Sequence, residues 1–279
     1  MPYQAPIQRT DPTVLMFLVD QSGSMGDRTA ASEKTKAQFV ADVLNRTLMD
    51  LVTRCTKADG IRDYFEIGII GYGAQGAQNG LQGALGARVL NPISALEANP
   101  LRVETRKRRT DDGAGGIVEQ SVKFPVWFEP MANGGTPMCD AIRKAGEELA
   151  AWCDAHPNSY PPTVLHVTDG ESTDGDPEPL ADALRQFATS DGNVLLLNLH
   201  VSAVPGNPIS FPAADTGLPD QYAKTLFRMS SQLPEHLVKY AAQEKGHKMS
   251  SESRGYMFNA EAGEIADFFD IGTRASQLR

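Results

Sequence analysis

The chain has 279 residues, of which 41% are hydrophobic and 22% are charged. These values are typical of a globular protein with a sizeable core and exclude a disordered, collagen-like or coiled-coil chain. The formal net charge is -9, from 26 basic and 35 acidic residues, so the chain repels nucleic-acid phosphates and favours cations as partners. Three cysteines make no disulfide framework, and no segment resembles a signal peptide or a membrane span, which predicts a soluble cytoplasmic protein.

The first part of the chain predicts two buried strands separated by a long helix. Thr13–Val19 is a continuous apolar run of strand-forming residues, as expected for a central strand covered on both faces. A polar turn that begins at Asp20 follows it. Ala30–Arg54 carries apolar residues at helical spacing, and Tyr64–Tyr72 predicts the second strand.

Residues 73–121 predict a long elaboration without a periodic apolar pattern. Its beginning is rich in glycine, and we expect the stretch up to residue 116 to be irregular. The basic cluster Arg106–Arg109 adjoins two aspartates, so we expect a solvated loop, with binding of a phosphate or an acidic partner as the alternative. Ile117–Glu129 predicts a strand at a sheet edge, because Pro125 interrupts it.

One glycine motif in this region matches a nucleotide-binding pattern. Gly71, Gly73 and Gly76 fit G-x-G-x-x-G after a predicted strand. A dinucleotide site also needs a helix that starts at the motif, whereas here further glycines follow. We therefore expect a flexible loop and no bound nucleotide.

The second half of the chain alternates between helices and strands. The predicted helices are Thr136–Cys153, Pro179–Thr189, Pro234–Lys245 and Ala262–Phe269, and the predicted strands are Thr163–Thr168, Asn193–Val201 and Tyr256–Phe258. This alternation predicts an α/β fold: a doubly wound, mostly parallel central sheet with helices on both faces and one antiparallel edge strand. We expect one domain over residues 1–279, elaborated at about 73–121 and 202–232.

Oxygen-bearing side chains follow several of the predicted strands. Asp20, Ser22 and Ser24 alternate after the first strand, Thr136 stands at a helix entrance behind two glycines, and Asp169 ends a later strand. In open α/β sheets, ligands bind at the carboxyl ends of the strands. Carboxylates and hydroxyls are hard ligands that suit Mg²⁺, Mn²⁺ or Ca²⁺. The alternative for Ser24 alone is a helix N-cap. An ion held by so few charges would attract a carboxylate from another molecule.

The pattern Asp20-x-Ser22-x-Ser24, followed by Thr136 and Asp169, resembles the metal-ion-dependent adhesion site of the von Willebrand factor A (vWA) family. The resemblance implies a Rossmann-like domain that binds protein partners through a divalent cation. It also implies that the three hydroxyls bind the ion directly and the two carboxylates largely through water. The sequence is most similar to intracellular bacterial tellurite-resistance-type members, which implies stress or defence signalling beside a protein kinase or a PP2C-type phosphatase.

Two other functions remain open for the same residues. In a haloacid-dehalogenase-like phosphatase, Asp20 would be the nucleophile, and Asp169 and Asp174 would hold Mg²⁺. That family carries a second aspartate where this chain has Ser22, and no suitably placed lysine is evident from the sequence. The other alternative is a subunit of an AAA+ chelatase-like complex. No catalytic triad is evident and no residue is predicted to be catalytic, so we expect a binding protein rather than an enzyme.

Overall fold

The computed structural model describes residues 2–28, 34–111, 117–201, 207–260 and 262–274, and within these ranges all side chains except those of residues 108–111, 117 and 262. The helices in these ranges are α1 Lys36–Cys55, α2 Ile93–Ala98, α3 Met138–Ala155, α4 Glu178–Leu184, α5 Gln221–Met229, α6 Glu235–Gln243 and α7 Ala262–Gly272. The strands are β1 Thr13–Asp20, β2 Thr56–Lys57, β3 Gly60–Ile61, β4 Phe65–Gly73, β5 Gly76–Asn79, β6 Leu90–Pro92, β7 Arg102–Asp111, β8 Ile117–Val126, β9 Thr163–Thr168, β10 Ala188–Thr189, β11 Gly192–Asn193, β12 Leu195–His200, β13 Ile209–Ser210 and β14 Tyr256–Phe258.

An eight-stranded sheet lies at the centre, in the order β13-β14-β12-β9-β1-β4-β5, with β6 also paired to β4. The five inner strands are parallel, and β13, β5 and β6 run antiparallel at the margins. This confirms the predicted α/β class with a mostly parallel sheet. The chain passes from β1 to β4 on one side and later returns to β9 on the other, so the order of the strands reverses beside β1. Such a reversal opens a crevice at the carboxyl ends of the strands.

Strand β1 is buried along its whole length because both of its faces are covered by helices. Leu15, Phe17 and Val19 belong to one hydrophobic cluster, which includes residues of α1, α2, α6 and α7. Val14, Met16 and Leu18 belong to the opposite cluster, with residues of α3, α4 and α5. Each buried side chain of this size contributes roughly 1.5–3 kcal/mol, so the two layers fix β1 firmly under the site.

Helix α1 begins at Lys36 because the residues before it form a capping box. The Thr35 hydroxyl accepts a hydrogen bond from the Gln38 N–H, and the Gln38 side chain accepts one from the Thr35 N–H. The prediction of a helix from Ala30 therefore fails at residues 34 and 35, while residues 30–33 lie outside the described ranges. The late start puts Lys36 in the first turn, next to the end of β1.

Strands β7 and β8 form a two-stranded ribbon, which corrects two predictions. The basic stretch is strand β7, paired antiparallel with β8 from Arg102↔Val126 to Asp111↔Ile117, and not a solvated loop. Strand β8 does not lie at an edge of the central sheet, because its described partner is β7. Arg106 stacks 3.6 Å from the Phe124 ring centroid and forms an ion pair with Asp42 of α1, which ties the ribbon to the body.

Other differences arise where polar sequence folds into regular structure. The glycine motif forms the turn between β4 and β5, so the stretch that followed it contributes an antiparallel strand instead of a loop. Helix α5 was not predicted, although Asp220 caps it by accepting from the Ala223 N–H at 2.8 Å. The remaining predicted helices and strands are present with ends shifted by a few residues. Across the described ranges, the helices are too short or too polar to cross a membrane.

Candidate functional site

Asp20 is the last residue of β1 and is only 1% exposed. One carboxylate oxygen accepts the Ser22 backbone N–H at 2.8 Å, and the other accepts the Thr168 hydroxyl at 2.7 Å. Burial raises the pKa of Asp20 and outweighs the hydrogen bonds from Ser22 and Thr168, which lower it. The carboxylate thus joins the ends of β1 and β9 and shapes the turn that carries the two serines.

Three of the predicted ligands form a continuous row of oxygens. The Ser22 and Ser24 hydroxyls are 3.1 Å apart, and the Ser24 hydroxyl donates to the Asp169 carboxylate at 2.8 Å. Ser22 is 2% exposed, whereas Ser24 is exposed on the short 3-10 turn Gly23–Gly26. The row therefore runs from the buried Ser22 through the exposed Ser24 to Asp169, whose side chain is 3% exposed.

Thr136 is held between the two other loops by backbone hydrogen bonds. On one side Gly23 N–H donates to the Gly134 carbonyl at 2.9 Å. On the other, Thr136 N–H donates to the Thr173 hydroxyl at 2.9 Å, and Thr173 N–H donates to the Thr136 carbonyl at 2.9 Å. Within the described ranges no hydrogen bond of the Thr136 hydroxyl is found, so no hydrogen bond joins this side chain to the row.

Gly134 explains why this loop can approach so closely. Its φ is +79°, a left-handed conformation that glycine adopts without strain. A Cβ atom at this position would lie 2.4 Å from the Cα of Ala74. The Gly134-Gly135 pair is thus a steric requirement for bringing Thr136 to the ends of the strands.

Asp174 accepts hydrogen bonds from the first turn of helix α3. Its oxygens accept the backbone N–H groups of Cys139 at 3.0 Å and Asp140 at 2.9 Å, in the first turn of α3, and the Ser172 hydroxyl at 2.9 Å. Burial opposes the shift, but these hydrogen bonds together lower the pKa of Asp174. The carboxylate therefore satisfies the free N–H groups of α3.

A buried polar network lies behind the site. The Tyr72 hydroxyl is 2.6 Å from His166 Nε2, and His166 Nδ1 is 2.7 Å from the side-chain amide oxygen of Asn198, Oδ1. Asn198 uses its amide N–H groups on Ser230 and Leu226, so its oxygen accepts from His166 Nδ1 and Nε2 accepts from the tyrosine. Burial lowers the pKa of His166 to about 4, which keeps the ring neutral.

A second histidine is buried near this network. His200 is 4% exposed, packs its ring against Phe258 and has a pKa that burial lowers. Both His166 and His200 are core residues.

Lys36 is the residue of the site that sequence reasoning missed. Its side chain is 3% exposed, and its ammonium lies 2.8 Å from Asp169 Oδ2 and 3.3 Å from the Ser24 carbonyl oxygen. The structure thus places a lysine beside Asp169, where the sequence made none evident. The signal was the Thr35-x-x-Gln38 capping box, which sets the start of α1 and turns its first residue toward the cleft.

The spacing of the two serine hydroxyls suits a small divalent cation. In a regular Mg²⁺ octahedron, with ion–oxygen distances of roughly 2.1 Å, adjacent oxygens are about 3 Å apart, which matches the 3.1 Å between the Ser22 and Ser24 hydroxyls. In the part of the chain that the structure describes, no group of three or more His, Cys, Asp or Glu side chains is arranged to hold a metal. A cation at this point would thus depend on hydroxyl oxygens.

A cleft of about 310 Å³ adjoins the site on the side of β4 and β5. Its lining includes amide side chains, among them Gln21, Gln75 and Asn133. Neutral amides both donate and accept hydrogen bonds. The wall therefore offers polar contacts, and Glu129 adds a carboxylate to it.

Comparisons with known proteins give similarities among solved structures. No protein-family model matches the chain, and no curated protein matches it. Pilus adhesin SpaC from Lactobacillus rhamnosus GG is 14% identical over 95% of this chain and 31% of its own, with a TM-score of 0.48. Proximal thread matrix protein 1 from the mussel byssus is 14% identical over 80% of this chain and 42% of its own, with a TM-score of 0.43.

VWA domains are also among the similar structures. The SpRpn10 VWA domain is 13% identical over 69% of this chain and 77% of its own, with a TM-score of 0.37. The chain spans less than half the length of the adhesin and of the byssus protein. Identities of 13–14% with such TM-scores assign neither a family nor a function to this chain.

Proposed function

We propose that the chain is a protein-binding module of the von Willebrand factor A type, without enzymatic activity. It would hold Mg²⁺, or Mn²⁺ or Ca²⁺, through Asp20, Ser22, Ser24, Thr136 and Asp169. The ion would bind an acidic side chain of a protein partner. The observation that carries the proposal is the row of oxygens from Ser22 through Ser24 to Asp169, at the reversal of strand order where α/β sheets bind ligands.

The charged residues of the proposed metal site favour an acidic partner. Asp20 and Asp169 are negative and Lys36 is positive, so the protein groups sum to one negative charge. A divalent ion would make the sum one positive charge. A partner carboxylate on the exposed Ser24 side would neutralise it in a partly desolvated cleft, which a neutral ligand cannot do.

The buried state of Asp20 supports binding over the phosphatase alternative. A nucleophile needs an accessible oxygen, whereas both oxygens of Asp20 accept hydrogen bonds and the residue is 1% exposed. Asp174, the second Mg²⁺ ligand of that alternative, instead caps α3. A binding role accounts for the row of hydroxyls without any catalytic step.

The proposed identity of the partner rests on the sequence motif alone. The resemblance to tellurite-resistance-type proteins supports a cytoplasmic role in bacterial stress or defence signalling, with a protein kinase or a PP2C-type phosphatase as partner. The amide-lined cleft beside the site suits the polar backbone of such a partner.

One experiment tests metal, partner and chemistry together. The immobilised chain captures proteins from a lysate of its own source organism in Mg²⁺ or in EDTA, and acidic residues of the captured protein are then replaced singly. We expect capture to need Mg²⁺ and one partner carboxylate. We expect calorimetry to show Mg²⁺ binding that Ser22→Ala weakens at least tenfold. Thr136→Ala should reduce capture without a change in thermal melting, because its hydroxyl makes no hydrogen bond in the described ranges.

Thr53→Ala is the matched control, since its exposed hydroxyl bonds the Met49 carbonyl within α1, away from the cleft. It should behave like the parent in every arm. Capture that survives EDTA and tolerates every acidic replacement in the partner would refute the proposed mechanism. Turnover of p-nitrophenyl phosphate that Asp20→Asn abolishes would refute the absence of enzymatic activity.

A further inference from the structure

Lys36 occupies an unfavourable place for a lysine. Its side chain is 3% exposed, and burial of an ammonium is costly unless the charge is paired. It is also the first residue of the 20-residue helix α1, where the helix dipole disfavours positive charge, and the first turn of α1 contains no acidic residue. Contacts outside the helix must therefore offset both penalties.

Asp169 supplies the main contact. The Lys36 ammonium lies 2.8 Å from Asp169 Oδ2, while Asp169 Oδ1 accepts from the Ser24 hydroxyl at 2.8 Å. The Ser24 carbonyl oxygen, 3.3 Å away, is a second acceptor for the ammonium. Both Asp169 oxygens are thus engaged, one by a protein cation and one by a hydroxyl of the donor row.

We propose that Lys36 is a tethered cation that competes with the divalent ion for Asp169. The ammonium neutralises this carboxylate. A divalent ion near Ser24 and Asp169 must share the carboxylate with Lys36 or displace the ammonium, and it is repelled by the ammonium in either case. The inference rests on the metal site of the proposed function and adds that Lys36 lowers the affinity of that site.

The competition has a measurable consequence. A neutral side chain at position 36 removes the repulsion between the Lys36 ammonium and the divalent ion across a few ångströms. It also leaves Asp169 free for the ion. Even with strong screening, an effect of this kind exceeds tenfold in affinity. A lysine that merely orients Asp169 for the metal would have the opposite effect, because its loss would weaken binding.

The test is a Mn²⁺ titration of the full chain, with free Mn²⁺ measured by electron paramagnetic resonance. Lys36→Gln keeps a hydrogen-bond donor near Asp169 without the charge, and Lys36→Met removes both. We expect both variants to bind Mn²⁺ at least tenfold more tightly than the parent. Lys34→Met is the matched control, because it removes a charge two residues away whose ion pair is with Asp42 and whose side chain is 56% exposed. It should bind within twofold of the parent.

Each outcome decides the inference. Equal or weaker binding by both Lys36 variants overturns it, and if the parent binds Mn²⁺ the proposed function is untouched. Tighter binding by the variants with no binding by the parent supports the inference and overturns metal dependence in the natural chain. Failure of every protein to bind overturns both. If the variants are unfolded in EDTA by circular dichroism, refolding on addition of Mn²⁺ supports the competition, and failure to refold overturns it.

Discussion

The neutral His166 at the centre of the buried network makes stability depend on pH. Its pKa is about 4 in the folded protein, against 6.5 for an unperturbed histidine, so between these values the unfolded chain binds a proton that the folded chain excludes. The contribution of His166 is fully present above pH 6.5 and is lost as the pH falls toward 4. At 1.36 kcal/mol per pKa unit, the loss amounts to about 3 kcal/mol.

Urea unfolding of the parent and of His166→Gln, followed by circular dichroism from pH 8 to pH 4, measures this loss. At pH 7.5 the variant is less stable because it weakens the contacts to Tyr72 and Asn198, but its free energy of unfolding lacks the His166 titration. We expect the gap between the two curves to shrink by about 3 kcal/mol from pH 7.5 to pH 4. Above pH 7.5 the curves run parallel, which is the internal control. Curves that stay parallel down to pH 4 would refute the assignment of a neutral, buried imidazole.

Two further predictions concern how the loops of the site are held. Gly134→Ala should cost about 2–4 kcal/mol in urea unfolding, because a left-handed alanine is strained and its Cβ would meet Ala74. Gly83→Ala, at φ +60° with nothing within 4 Å, should cost only about 1–2 kcal/mol, so equal losses would contradict the steric explanation. Asn45→Ala should cost about 2–4 kcal/mol, because this buried side chain accepts two N–H groups from the segment after β8. In the control Asn99→Ala, the exposed side chain that is removed bonds only the Ala95 carbonyl among the described residues, so the change should cost under about 1 kcal/mol in the same assay.

The fold class and the oxygen row were predictable because they depend on local patterns. Continuous apolar runs such as Thr13–Val19 indicate strands covered on both faces, and the Asp-x-Ser-x-Ser spacing follows such a run directly. The positions of Thr136 and Asp169 were predictable from their neighbours, because Thr136 precedes a predicted helix and Asp169 follows a predicted strand. These signals need no knowledge of how distant segments pair.

The ribbon was not predictable from composition. Strand β7 is largely polar, since the ribbon lies outside the central sheet and much of it faces solvent, so the hydrophobic alternation that marks a strand is weak. What anchors it is the stacking of Arg106 on Phe124 and the ion pair with Asp42, 64 residues away in the chain. A charged cluster read alone could only indicate a solvated loop.

The contacts around the site could not be predicted without knowing how the strands pair. Tyr72 and His166 lie on β4 and β9, the strands on either side of β1, and meet through the register of three strands. The Lys36–Asp169 pair joins residues 133 positions apart. Only the capping box at Thr35 gave a local hint of where Lys36 would point.

The pairing of β1 with β9 also governs when the site comes into existence. It joins segments 148 residues apart, as the hydrogen bond from Thr168 to Asp20 shows, whereas β7 and β8 pair residues that are much closer along the chain, the nearest being Asp111 and Ile117. Closing a long loop costs more chain entropy and proceeds more slowly than closing a short one. We therefore expect the ribbon to form early during folding and the cleft to be completed late. A nascent or truncated chain that ends before β9 lacks Thr168, the partner of the Asp20 carboxylate, so the proposed cation site is incomplete in it.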